Sequence, residues 1–337
     1  MNTGKNYNKI VYGSRMQKLT ARLTAVKEWL DHPELKKSHL YANRPQIIQY
    51  IDFLTSVGIY GATLQDYLVF EFYKKSHREK SSYVTGRKQH KLFDRVNEKN
   101  KTSLFKDKNK FSDVFSEYTG REIFNLDLDG KNKEEAKKWL ETMDIVFAKP
   151  SDGVQGRGVT RLVVDDNPEK TIEYCLDNNL DIIEEALEQH SEMKTLHPKS
   201  INTIRFITLI ENNDVKYLGA SLRMGIDTYV DNGGIYVSVN MTTGKIDSIA
   251  YTNSGEKFDK HPITNHPLKG FQIPFWNEVI ELCKKAAFEV PDVRCVGWDV
   301  AITKDGPVII EGNDRWSRFV WQLPKQKGLY DTIKYSK

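Results

Sequence analysis

Apolar positions in the first 80 residues recur at helical spacing: Leu19, Leu23, Val26 and Leu30, then Ile47, Ile48, Ile51 and Leu54, with Pro33 and Pro45 interrupting the runs. This pattern predicts a helical module. From Asp66 the run DYLVFEFYKKSHREKSSYVT adds aromatic residues and a basic cluster that reads as a solvated helix face. Between Arg87 and Lys110 lysines, arginines and polar residues dominate, which predicts a helix and connector rather than a core, with a boundary near residue 105.

Beyond that boundary the texture changes. Short β-branched runs (DIVFAKP, GVTRLVV, LDIIEEAL, NTIRFITLIE, KYLGASLRMG, GIYVSVN, GWDVAI, PVIIEGN) alternate with glycine turns and helical stretches. The pattern predicts an α+β fold rich in antiparallel hairpins. With 337 residues and 39% apolar composition, there is enough chain for two or three subdomains.

Charge changes this picture little. Fifty basic and 46 acidic residues leave a net +4, which demands no nucleic-acid partner. No basic start is joined to an apolar core, and no run of about 18 apolar residues occurs, so no transmembrane segment and a cytoplasmic location are expected. Cys175, Cys283 and Cys295 lack ligand or CxxC spacing and read as buried thiols.

Candidate chemistry is densest in GWDVAITKDGPVIIEGN, residues 297–313. Two strands flank a turn centred on Asp305, which sets Asp299 opposite Glu311, and side-chain alternation puts Asn313 on the same face. Two carboxylates and an amide carbonyl form a hard oxygen set suited to Mg²⁺ or Mn²⁺ carrying nucleotide phosphates. Like charges opposed on a sheet repel unless a cation intervenes. Replacing Asp299 or Glu311 by Ala is therefore expected to abolish turnover and leave the fold intact.

A second segment, KPSDGVQGRGV, ends a strand at Lys149 and carries Gly153, Gly156 and Gly158 before the next strand. Glycines let backbone N–H groups approach phosphates, and Lys149 supplies charge. This loop joins two strands, unlike a Walker A loop, which opens a helix. In LDIIEEALEQH a strand runs into Glu184 and Glu185, followed by Leu187, a combination able to hold a nucleobase. Asn202 and Arg205 in SINTIRFITLI, Arg223, and Asp231 with Asn232 supply donors and acceptors for a transferring phosphoryl group or a substrate carboxylate. Arg315 and Arg318 are similar candidates, while Trp316 and Trp321 read as core packing first and stacking surfaces second.

In this order the segments resemble the ATP-grasp superfamily, and the strings EEALEQH, NTIRFIT, VDNGG and GWDVAI…GPVIIEGN look like its sugar-transfer-associated group over roughly residues 105–325. The resemblance implies two α+β subdomains that hold ATP between them, here a lid over 105–187 and a larger subdomain over 188–337, after a helical module at 1–104. That module departs from the Rossmann-like first domain common in the superfamily. The resemblance also implies a phosphate-binding lysine ahead of the lid, matched by Lys108 with Lys106 and Lys110 beside it. It implies ATP and Mg²⁺ as cofactors and small-molecule or sugar-linked carboxylate and amine substrates from cell-surface polysaccharide synthesis. The expected reaction is carboxylate–amine ligation through an acyl phosphate, with Arg205, Arg223 and Asn202 at the reacting groups. A kinase, or a non-catalytic partner of a glycosyltransferase, remains an alternative, and the oligomeric state stays open.

Overall fold

The computed structural model describes residues 45–151, 158–164, 167–226 and 234–336. The predicted helical repeat at Leu19–Leu30, together with Gly153, Gly156, Asp231 and Asn232, lies outside the described residues. The chain forms two compact units, Met1–Gln89 with Lys327–Tyr330, and His90–Gln326 with Asp331–Lys337.

The described part of the first unit is helical. Helices α1 (Gln46–Thr55), α2 (Leu64–Val69) and α3 (His77–Ser82) surround an aromatic cluster of Phe53, Tyr67, Phe70, Phe72 and Tyr83. Helices α2 and α3 each begin with a capping box, Thr63 with Asp66 and Ser76 with Glu79, which explains why such short helices hold. The α1 stripe runs opposite to the simple core reading: Ile47, Ile48, Ile51 and Leu54 are exposed, while Gln49 and Phe53 are buried. Nor is the basic run after Asp66 one solvated face, since Lys80 is buried and paired with Asp52.

Helix α4 (Gly86–Val96) runs on into the second unit. It was expected to be a connector, yet Leu92, Phe93 and Val96 are buried, with Phe93 set edge-on to Trp316. Helix α5 (Lys108–Thr119) is capped by Asp107, whose carboxylate accepts from the Lys110 N–H at 3.2 Å, and stopped by Gly120 at φ 57°.

Two antiparallel sheets follow, as the hairpin-rich pattern predicted. The smaller has the order β1-β4-β2-β3, built from β1 (Ile123–Asn125), β2 (Ile145–Lys149), β3 (Thr160–Val163) and β4 (Ile182–Glu185). One face carries Val146, Ala148 and Ile183 into a core with helices α6 (Lys133–Leu140) and α7 (Pro168–Asp177). Alternation sends Phe147, Lys149 and Glu184 to the opposite face.

The larger sheet has the order β11-β10-β5-β6-β7-β8-β9. Its strands are β5 (Thr203–Glu211), β6 (Asp214–Met224), β7 (Ile235–Val239), β8 (Ala250–Tyr251), β9 (Lys257–Phe258), β10 (Cys295–Thr303) and β11 (Gly306–Asn313). Phe206, Trp298, Val300 and Ile309 pack on one face against Phe111 and Phe115 of α5 and Val279 and Cys283 of α8 (Trp276–Glu289). The other face carries Arg205, Asp299 and Glu311. All three cysteines are free and buried, as read from the sequence. Among the described residues, no helix is long and apolar enough to cross a membrane.

Candidate functional site

Asp299 and Glu311 do stand opposite each other, but not through the turn that the sequence suggested. The turn is Lys304–Asp305, and it pairs Thr303 with Gly306, Ala301 with Val308 and Val300 with Ile309. Continued unchanged, that register would set Asp299 against Ile310 and turn Glu311 toward the core beside Trp298. A bulge between Asp299 and Val300 absorbs Ile310 as an extra residue and restores the Asp299–Glu311 and Gly297–Asn313 pairs. Ile309 and Gly312 consequently both face the core, where a Cβ on Gly312 would meet Phe105 at 2.6 Å.

Asp299 is buried in an arginine fork. Arg205 donates to it through both Nε and Nη2, the latter at 2.9 Å, and Arg223 donates from Nη1 at 3.4 Å. Burial pushes its carboxyl up, but the two guanidinium groups outweigh burial and hold it below the usual aspartate value. Glu311 is the opposite case. Crowding by protein, the adjacent Asp299 charge and a hydrogen bond shared with Asp299 raise it above the usual glutamate value, although its side chain is open to solvent as on a cleft wall. Asn313 donates to Glu311 Oε1 at 3.2 Å, so the expected trio is assembled.

These residues fit a hard divalent cation. The set is two carboxylates and one amide, and among the described residues no group of three or more His, Cys, Asp or Glu side chains could hold a metal. A carboxylate has about four lone-pair positions, so the arginine bonds leave Asp299 able to accept a cation. Burial first and the neighbouring Asp299 charge second disfavour the ionised Glu311, and a cation at this position would offset both.

The open face of the small sheet carries a second cluster of charges. Lys149 Nζ donates to Glu184 Oε1 at 2.6 Å, and Arg121 Nη2 donates to the same oxygen at 3.1 Å. Burial raises the Glu184 carboxyl, but Arg121 and Lys149 outweigh it and bring it down to about 2. Lys108 Nζ donates to the Pro150 carbonyl at 2.7 Å. Burial and the nearby Lys149 charge lower the Lys108 ammonium, with Glu311 and Glu184 opposing them, so these four charges share one region. Lys110, two residues on and so on another side of the helix, pairs instead with Asp107 on the surface at 3.1 Å.

The other predicted residues separate. The Glu185 carboxylate accepts from the Glu122 N–H at 3.1 Å on the core-facing side of β4, and Leu187 is half-buried just beyond the strand. Gly158 has φ 80°, and a Cβ there would meet Pro150 at 3.0 Å, which explains a glycine at that turn. Asn202 is fully buried and donates to Gln189 Oε1, the Met193 carbonyl and the His197 carbonyl, anchoring the segment after β4. Arg315 pairs with Asp94 at 3.7 Å, and Arg318 lies over Phe319, so neither joins the trio. Trp316 and Trp321 are buried edge to face.

Sequence reasoning missed Arg121, a side chain that touches both sheets. Besides Glu184, it donates to the carbonyls of Ile309 and Ile310 at 3.3 Å each. The only sequence signal was its place after the helix-stopping Gly120.

A family model described as sugar-transfer associated ATP-grasp matches residues 87–336. Solved structures are similar at low identity. D-alanyl-alanine synthetase A from Vibrio cholerae is 9% identical, with 70% of this chain and 62% of that one covered and a TM-score of 0.42. The L-amino acid ligase from Bacillus licheniformis is 11% identical over 70% of this chain and 49% of that one, with a TM-score of 0.43. The N5-carboxyaminoimidazole synthase from Aspergillus clavatus, in complex with ADP and 5-aminoimidazole ribonucleotide, is 11% identical over 74% and 58%, with a TM-score of 0.42. The chain thus covers less than two thirds of each of these proteins. No curated protein sequence matches it.

Proposed function

The chain belongs to the sugar-transfer associated ATP-grasp family, and from that premise we propose that it is an ATP- and Mg²⁺-dependent ligase joining a carboxylate to an amine. The observation that carries the reading is the Asp299–Glu311 pair with Asn313, facing Lys108 and Lys149 across the open sides of two sheets. Asp299, Glu311 and Asn313 would hold the cation, which supplies Lewis-acid neutralisation of phosphate charge. Residues 105–187 serve as the lid and 188–337 as the larger subdomain, with cell-surface polysaccharide precursors as the substrate class.

The protein's own groups do the rest by position and charge. Lys108 and Lys149 balance nucleotide charge. Glu184 aims Lys149, and the partly open apolar side of the small sheet around Phe147 accepts the base. Arg223, less buried than Arg205, meets the substrate carboxylate or its phosphoryl group, while Arg205 fixes Asp299. The carboxylate attacks the γ-phosphate to give an acyl phosphate and ADP, and an amine then displaces phosphate. No nucleophilic side chain is needed.

The test is incubation with Mg-ATP and paired carboxylates and amines, following ADP, AMP and phosphate. ADP and phosphate that require both partners support the ligase. A stable phosphorylated product formed with one partner would replace it with a kinase.

A further inference from the structure

We propose that Arg121 is a positioning residue that sets the carboxylate pair and the nucleotide lysine with one guanidinium group. The inference rests on the nucleotide-site reading above and names a device within that site.

The geometry runs in two directions from one buried side chain, about 4% exposed. Toward the large sheet, Nη1 and Nη2 donate to the carbonyls of Ile309 and Ile310 at 3.3 Å each. Ile310 is the residue absorbed by the bulge, so it has no partner in the β10–β11 register. Without the bulge, Glu311 and Asn313 would point into the core. A donor on the bulged carbonyls therefore stabilises the register that creates the Asp299–Glu311 face.

Toward the small sheet, Nη2 holds Glu184 Oε1, the same atom that Lys149 Nζ engages. Glu184 is thereby fixed in place and kept ionised, and it fixes Lys149 in turn. The approach depends on Gly120, since a Cβ at that position would lie 2.3 Å from Val308 Cγ1. Only a planar fork with donors on separate nitrogens spans a carboxylate and two carbonyls together. A lysine would supply the charge but not the fork.

Charge and fork are separable by experiment. Full-length wild type, Arg121→Lys and Arg121→Ala are compared for Mn²⁺ binding by electron paramagnetic resonance, with and without adenosine, and for binding of Mn-ATP. Adenosine carries no phosphate, so any effect it has on Mn²⁺ must pass through the protein. The expected wild-type result is tighter Mn²⁺ binding by about fivefold with adenosine present, at the lower end of ordinary coupling between sites. In both variants that coupling falls to none, and Mn-ATP binds at least tenfold more weakly, while melting curves remain single and cooperative. Wild-type behaviour in Arg121→Lys would reduce the residue to charge balance and overturn the proposal, as would retained coupling in Arg121→Ala. A wild type that binds no Mn-ATP would overturn the nucleotide-site reading itself.

Discussion

Removing either carboxylate of the opposed pair should end metal binding, but the two removals should differ sharply in stability. Asp299 and Arg205 have side chains about 5% and 7% exposed and are joined by two hydrogen bonds. Deleting one member of such a buried pair costs about 3–5 kcal/mol, because the other charge is left uncompensated. Glu311 is close enough to Arg205 to compensate in part, so the low end applies to Asp299→Ala. About 3 kcal/mol corresponds to a melting point lower by about 6–12 °C for a unit of this size. Asp299→Ala should therefore keep its fold at about 25 °C with a lowered melting point. Glu311 is open to solvent and repelled by Asp299, so Glu311→Ala should change stability by less than about 1 kcal/mol and raise it if anything. Its raised carboxyl favours the folded state while protonated, and that contribution is lost as pH rises above the ordinary glutamate value, a limb absent in Glu311→Ala. Thermal denaturation from pH 5 to 8 without divalent cations, paired with Mn²⁺ titration, reads both properties. Equal destabilisation by the two substitutions would refute the division of roles between a fixed and a free carboxylate.

Deleting Ile310 removes the extra residue and lets Glu311 follow Ile309 directly, so Glu311 should stay opposite Asp299 and Mn²⁺ binding should persist, whereas loss of Mn²⁺ binding in the deletion variant would contradict the register given for the site. Glu184, held down to about 2, contributes stability that is complete above the ordinary glutamate value and lost as pH falls toward about 2. By linkage the contribution is about 3 kcal/mol, so Glu184→Gln should flatten the acid limb of a urea-unfolding series, and an unchanged limb would count against the Arg121–Glu184–Lys149 cluster. Because protons compete with a cation for the raised Glu311 carboxylate, Mn²⁺ affinity should rise with pH, and a flat profile in calorimetry would contradict that competition.

Much of the site was legible because strands carry a period of two. That period placed Asp299, Glu311 and Asn313 on one face. It succeeded through two departures that cancel, since the turn is one residue shorter than assumed and the bulge at Ile310 adds one back. Nothing in the letters VIIEGN marks a bulge, which the packing of Ile309 and Gly312 on a single core face requires. Lys108 turns inward to the Pro150 carbonyl and Lys110 outward to Asp107, a difference that neighbouring lysines in sequence do not reveal. Arg121 was invisible because its partners are backbone carbonyls and a carboxylate about 60 to 190 residues away. Asn202 looked catalytic as a polar residue at a strand start, yet its amide satisfies the carbonyls of a buried turn. The outward stripe of α1 shows the converse limit, since helical periodicity predicts a helix but not which face is covered.

The proposed function places a nucleotide-bound divalent cation on the Asp299–Glu311–Asn313 face, with Lys108 and Lys149 across from it. Anomalous diffraction from crystals grown with Mn²⁺ and a non-hydrolysable ATP analogue tests it most directly. A manganese peak bonded to Asp299 and Glu311, with phosphates beside Lys108 and Lys149, is the predicted result. Manganese or nucleotide bound elsewhere, leaving the carboxylate pair in contact only with Arg205, Arg223 and Asn313, would contradict it.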